Sequence, residues 1–193
     1  MPDPVSQPRP AAPNDRELLE RLRAGEQEAF EVIFRAHYAQ LVGVAEAMLR
    51  ARAPAEDVAQ DVMLELWRRR EEIVLETSLR AYLIRATRNR ALNQIRHRRV
   101  AERTRPEDLG RSTAPSADQD FAEQELGAAV KRAVGELPER CREVFELSRV
   151  HGLTYAEIAQ VLSISVKTVE TQMGKALRVL RERLSPWLSG GRT

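Results

Sequence analysis

Cysteine is nearly absent: Cys141 stands alone among 193 residues. No intrachain disulfide can form, and a reducing cytoplasmic setting fits best. With only three histidines (His37, His97 and His151) beside that one thiol, a structural zinc site lacks its ligands. Aromatic residues make up 5% of the chain, so the core has to come from alanine and leucine packed as small helical units. Uninterrupted apolar runs fall well short of the ~20 residues that span a bilayer, which argues against membrane insertion. The first fourteen residues, MPDPVSQPRPAAPN, hold five prolines and no apolar stretch, and so do not read as a signal peptide. No phosphate-binding G-x-x-x-x-G-K-[ST] occurs, no strand-like alternation survives, and no long-period repeat is visible.

Lysine is also scarce, at three of the 31 basic residues, the rest being arginine. The net charge of +2 conceals strong segregation. Between Arg80 and Arg105 nine arginines face a single acid, Glu102. Solvated helix faces usually mix both signs, so this block reads as an electrostatic footprint for a polyanion, with nucleic acid ahead of membrane.

The pattern along the chain predicts an all-α protein of two small helical domains joined by a flexible linker. Residues 1–14 are a Pro-rich tail. Asn14 and Asp15 offer an N-cap before ELLERLRA, with Gly25 as a stop. Phe30, Ile33, Phe34, Leu41 and Val44 recur at helical spacing up to about Leu49. Pro54 suits a first helical turn, followed by a helix that sends Val58, Val62, Leu66 and Trp67 to a core. A long helix from about Leu79 to Glu102 carries Leu79, Leu83, Ala86, Leu92 and Ile95 as its apolar stripe. Residues 15–103 thus form the first domain. Residues 104–122 have no period and read as a linker, able to stretch to ~60 Å, nearly two turns of duplex at ~34 Å each. Residues 123–188 form the second domain, with helices predicted over 123–135, 139–150, 155–162 and 166–185, and 189–193 are a tail.

The strongest local signal runs from Thr154 to Leu184. Thr154 and Glu157 make a capping box. Ile158, Ala159 and Leu162 face inward, the small Ala159 permitting a close helix crossing. Ser163, Ile164 and Ser165 form a tight turn in which Ile164 plugs the core and Ser165 caps the next helix, and Val166 and Val169 pack back. This is a helix-turn-helix pattern, with serine at position 163 where many such motifs carry glycine. Its second helix would enter the major groove. Lys167, Thr168, Glu170 and Thr171 lie on its early outward faces, with Lys175 and Arg178 one and two turns on. Lysine can donate to guanine, Glu170 can accept from cytosine, and the Thr171 methyl can meet thymine. Arg178, together with Arg181 and Arg183, suits phosphate.

In AEDVAQDVMLELWRR, Asp57, Asp61 and Glu65 recur every four residues beside Gln60, an acidic stripe on one helical face. A metal-dependent enzyme would need histidine at the i+3 positions or a second acidic helix, and neither is evident. A protein-docking face is the more economical reading.

The order AFEVIFRAHYAQL, AEDVAQDVMLELWRR, SLRAYLIRATRNRALNQIRHRR and LPERCREVFELSRVHGLTYAEIAQVLSISVKTVETQMGKAL resembles bacterial sigma-70-type initiation factors, specifically the small extracytoplasmic-function (ECF) group. The resemblance covers roughly residues 15–188 except the linker. It implies that residues 15–103 correspond to sigma region 2 and 123–188 to region 4. The acidic stripe of Asp57, Gln60, Asp61 and Glu65 would dock on the clamp helices of the largest subunit of core RNA polymerase. The next helix would bind the melted minus-ten element, with Asn89 and Asn93 at bases or backbone and Arg88, Arg96, Arg98 and Arg99 on phosphates. The loop at Glu76–Ser78 would accept a flipped base, the cost of unstacking being met by a snug pocket and backbone charge. The helix-turn-helix would read the minus-thirty-five element and touch the polymerase flap. A dedicated anti-sigma factor is a further implied partner. The sequence departs from the family at Tyr82, often Trp, at Asn93, often Asp, and at Glu170, where several relatives carry a basic residue.

A promoter-specificity subunit of RNA polymerase, cytoplasmic and without catalytic residues or cofactor, is therefore the function expected. A stand-alone helix-turn-helix regulator is the alternative, and it would need a ligand pocket or self-complementary face in place of an arginine-rich helix beside an acidic stripe. The remaining histidines, Trp67 and Cys141 read as packing or surface residues.

Overall fold

Eight helices and no strand make up the described part of the computed structural model, which covers residues 14–104 and 121–188. The tails and almost all of the expected linker lie outside the described residues. Four helices precede the gap: α1 (Asp15–Arg23), α2 (Gln27–Leu49), α3 (Arg52–Arg68) and α4 (Leu79–Thr104). Four follow it: α5 (Phe121–Gly135), α6 (Glu139–Arg149), α7 (Tyr155–Leu162) and α8 (Val166–Leu188). The helix α5 thus starts two residues before the expected boundary, and α8 runs three residues past its own.

Local chemistry accounts for the helix ends. The Asn14 side chain accepts from the Arg16 amide at 3.3 Å, opening α1. Asp15 reaches across to cap a different helix: its carboxylate accepts from the Leu79 amide at 2.8 Å. Ser78 completes that start, its Oγ accepting from Ala81 N at 3.1 Å. Pro54 falls in the first turn of α3, where a missing amide hydrogen costs nothing.

In the first half of the chain α2, α3 and α4 pack on one another. Leu22, Ile33, Leu41, Met63, Leu66, Leu79, Leu83 and Ile84 are fully buried. Phe30 meets Trp67 edge-on at 5.5 Å between centroids, tying α2 to α3, and the Arg70 guanidinium lies 4.9 Å over the same indole. The stripe expected on α4 is correct only for its first turns. Leu79 and Leu83 are buried, joined by Ala81, Ile84, Thr87 and Ala91, whereas Leu92 and Ile95 are half-buried. Past Ala91 the cover is partial: Leu92 and Ile95 line grooves shared with Met48 of α2 and Glu139 of α6.

The two groups of helices also pack against each other. Val144, Leu147, Leu153, Ile158 and Val161 belong to the same continuous buried cluster as the first-half core. Helix α7 lies on α4. A smaller cluster of Ala133, Leu137, Cys141, Ala176 and Leu180 holds α5, α6 and α8 together. Cys141 is buried there, its thiol donating to Gln172 Oε1 at 3.1 Å.

Candidate nucleic-acid interface

The helix-turn-helix forms as the residues dictate. Thr154 Oγ1 accepts from the Glu157 amide at 3.3 Å while the Glu157 carboxylate accepts from Thr154 N at 2.8 Å, closing the capping box. Ser163 sits in the left-handed region with φ +55°, the conformation for which glycine is the usual choice. Ser165 Oγ then accepts from Thr168 N at 3.1 Å and starts α8. Ile158, Ala159 and Leu162 are buried as expected. Two expectations fail. Ile164 is half-buried against the core and does not fill it, and Val166 is 43% exposed. The inward positions of α8 are Val169, Met173, Ala176 and Leu180, a register that leaves Val166 on the outer face.

That register leaves Lys167, Glu170, Thr171, Lys175 and Arg178 exposed along α8, with Thr168 half-buried. Lys167 Nζ lies 3.3 Å from Glu170 Oε2, so the two candidate base readers neutralise each other in the unbound chain. Thr171 Oγ1 donates to the Lys167 carbonyl at 2.9 Å.

The acidic stripe is likewise assembled on the surface. Asp57, Gln60 and Asp61 are exposed on α3 and Glu65 is partly so. Asp61 lies 3.5 Å from Arg90 of α4, and Glu65 lies 3.6 Å from Arg69. Gln60 Nε2 approaches the Tyr38 hydroxyl at 3.5 Å.

The arginine-rich helix divides into two. Asn89, Asn93, Arg96, Arg98 and Arg99 are exposed. Arg96 donates to Asn93 Oδ1 at 3.3 Å. Arg99 and Arg96 rim a groove between α4 and α6 with an apolar floor of Met48, Leu92 and Ile95. Arg88 is different: its Nε lies 2.7 Å from Glu143 Oε1 of α6, the two side chains being 14% and 24% exposed. The loop before α4 opens a cavity of about 120 Å³. Glu76, Thr77, Ser78 and Tyr82 line one side, and Gln160 and Val161 of α7 line the other.

Several of these neighbours have no counterpart in the sequence reading. Thr77 Oγ1 donates to Gln160 Oε1 at 2.7 Å, and Ser78 Oγ donates to Glu157 Oε1. Gln40 Nε2 donates to the His151 carbonyl at 3.1 Å. Burial would raise the Glu157 carboxyl, but hydrogen bonds from Ser78 and Thr154, with Arg80 nearby, outweigh it and leave it below the ordinary carboxylate value. Burial, reinforced by Arg80 and opposed by Asp15, lowers His37, and burial lowers His151. No group of acids, histidines and cysteine among the described residues is arranged to hold a metal. No helix among them is long and apolar enough to cross a membrane.

The all-helical fold, the acidic stripe, the arginine helix and the helix-turn-helix are the parts of a transcription initiation factor. The sigma-70 region 2 family matches residues 33–100 and sigma-70 region 4 matches residues 127–180. The ECF RNA polymerase sigma factor SigM of Mycobacterium tuberculosis is 30% identical over 178 residues, covering 92% of this chain and 88% of that protein. The RNA polymerase sigma factor CnrH of Cupriavidus metallidurans is 30% identical over 171 residues, covering 84% of this chain and 90% of that protein. The solved structure of CnrH in complex with the cytosolic domain of CnrY superposes with a TM-score of 0.60 at 26% identity, over 92% of this chain and 99% of that one. The chain belongs to the sigma-70 family of RNA polymerase sigma factors, in its ECF group. It is a sigma factor that directs transcription initiation, and a stand-alone regulator is not favoured. Sigma factors as a class are not enzymes.

Proposed function

We propose that residues 15–103 act as the polymerase-docking and minus-ten domain and residues 123–188 as the minus-thirty-five domain of a cytoplasmic sigma factor with no catalytic residues of its own. The observation that carries this reading is the juxtaposition of the exposed stripe on α3 with the cationic face of α4. Asp57, Gln60, Asp61 and Glu65 offer carboxylates and an amide to a helical partner of opposite charge, the clamp helices of core polymerase. Beside them Asn89 and Asn93 face melted bases, while Arg88, Arg96, Arg98 and Arg99 hold the backbone. Binding energy from these contacts, with the cavity at Glu76–Ser78 taking one unstacked base, separates the strands. At the other end Lys167, Thr168, Glu170 and Thr171 read the duplex, and Lys175 and Arg178 position it.

An anti-sigma factor is the further partner of this reading. Solved relatives of the same fold are CnrH with the cytosolic domain of CnrY and the sigma factor RpoE with the anti-sigma factor NepR from Bartonella quintana.

The test is pairwise. Asp61→Arg reverses a charge in the docking stripe and is expected to weaken core-polymerase binding in a band shift while leaving the fold intact. Lys167→Ala and Glu170→Ala are expected to change promoter choice at one element in run-off transcription. Normal core binding by Asp61→Arg would remove the docking face from the account.

A further inference from the structure

The end of α2, the second half of α4 and the start of α6 enclose two grooves of about 460 and 420 Å³. They share Met48, Arg50, Ile95, Arg99 and Glu139, and so form one continuous cleft. Each volume falls in the ~300–1,000 Å³ range of small-molecule sites. The larger groove is strongly cationic: Arg50, Arg88, Arg96, Arg99, Arg140 and Arg142 line it against Glu139, Glu143 and Glu146. The acids neutralise less than their number implies. Glu143 serves two arginines of the wall, Arg88 at 2.7 Å and Arg140 at 3.2 Å. Burial lifts the Glu146 carboxyl above its ordinary value, with Arg142 opposing this and Glu143 adding to it. Arg142 donates to the Gly135 carbonyl at 3.0 Å and Arg96 to the Asn93 amide oxygen at 3.3 Å, both uncharged partners. Arg50 and Arg99 are exposed and form no ion pair among the described residues.

Arg50 is marked by its backbone as well. It ends α2 with φ +55° and ψ +30°, the left-handed conformation for which glycine is the usual choice. A residue with a Cβ is strained there, yet the residue is an arginine on the cleft wall. Backbone strain of this kind clusters at ligand clamps. The floor between the cations is apolar: Met48, Leu92 and Ile95 line it and are half-buried. Methionine adapts to the shape of what it covers, and guanidinium planes stack on aromatic faces. Bare phosphate gains nothing from such a floor, whereas a polyphosphate joined to a flat ring uses both the floor and the cations.

We propose that this cleft is a binding site for a nucleoside polyphosphate, with Arg50 and Arg99 as the phosphate clamp and Met48, Leu92 and Ile95 beneath the base. Arg96 and Arg99 also belong to the minus-ten reading, but the inference does not rest on it, since Met48, Arg50 and Arg142 have no part there. RNA polymerase consumes nucleoside triphosphates, so a sigma factor works among ligands of this class.

The experiment titrates magnesium-free ATP into the full chain and follows the heat of binding. Inorganic tripolyphosphate carries the charge without the ring, and adenosine the ring without the charge. ATP is expected to saturate a single site and to bind at least about fivefold more tightly than tripolyphosphate, the ring adding buried apolar area, with adenosine undetected. Arg50→Gly removes half of the clamp and relieves the left-handed strain at once. It is expected to weaken ATP binding about tenfold while raising the thermal midpoint, a combination that misfolding cannot produce. Arg99→Gln removes the other cation and is expected to weaken ATP to a similar degree. Arg16→Gln makes the same charge change next to Asp15, which caps Leu79 at the start of α4, ~20 Å along that helix from Leu92. It is expected to leave ATP binding within about twofold of the parent, the separation exceeding the screening length. Absence of saturable ATP binding, or binding that Arg50→Gly and Arg99→Gln both leave unchanged, would overturn the site. Equal losses in Arg16→Gln would overturn it as well, reducing the effect to overall charge. Tripolyphosphate binding as tightly as ATP would overturn the assignment to a nucleoside.

Discussion

Arg88 and Glu143 form a sheltered ion pair between α4 and α6, with Nε and Oε1 2.7 Å apart and both side chains less than a quarter exposed. A charge-assisted hydrogen bond shielded from water is worth far more than the same pair on the surface. Glu143→Ala should therefore lower stability by about 1.5–3 kcal/mol, read as a drop in the urea midpoint. Glu170→Ala breaks an ion pair whose side chains are 85% and 49% exposed, and it should leave the midpoint unchanged within error.

The capping box at the start of α7 gives a second prediction. Thr154→Ala removes the acceptor for the Glu157 amide and should cost about 1 kcal/mol. Thr154→Ser keeps the oxygen and should retain most of the stability. Thermal unfolding followed by circular dichroism distinguishes the two.

Ser163 leads to a gain. Its φ of +55° strains any residue with a Cβ, by roughly 1–2 kcal/mol, part of which glycine's greater freedom in the unfolded chain offsets. Ser163→Gly is expected to raise the midpoint modestly, and Ser163→Val to lower it.

Acid should destabilise the fold. His37 and His151 both lie below the ordinary value of 6.5 because burial disfavours their charged forms, Arg80 adding to this at His37 and Asp15 opposing it. The unfolded chain therefore takes up protons in a window where the folded chain does not. Stability is fully present above pH 6.5 and declines as pH falls through that value toward the folded pKa of each histidine. Glu157, held low in the folded state, adds a further loss at more acidic pH. The urea midpoint is expected to be lower at pH 5.5 than at pH 7.5, and His37→Gln, which removes one titration, should flatten that slope.

Periodicity and end signals made most of the helices legible, since Asn14, Pro54, the Thr154–Glu157 box and Ser165 act through neighbours a turn away. The exposed stripe on α3 and the outward face of α8 were legible for the same reason: they depend only on helical spacing. What escaped was whatever depends on distant partners. Arg88 and Glu143 are 55 residues apart, Ser78 and Glu157 are 79, and Thr77 and Gln160 are 83. Nothing in a lone glutamate or glutamine marks such a match. Leu92 and Ile95 read as core because their spacing is right, but they line open grooves between α4, α2 and α6 and are only half-buried. Val166 read as inward because only a packed register shows that Val169 and Met173 already fill that face.

The most direct measurement is transcription in vitro by purified core RNA polymerase over a library of promoters, with and without this chain. The account predicts initiation only when the chain is added, from promoters that share two short elements, and its loss with Asp61→Arg. Failure of the chain to bind core polymerase, or initiation that does not depend on it, would contradict the account.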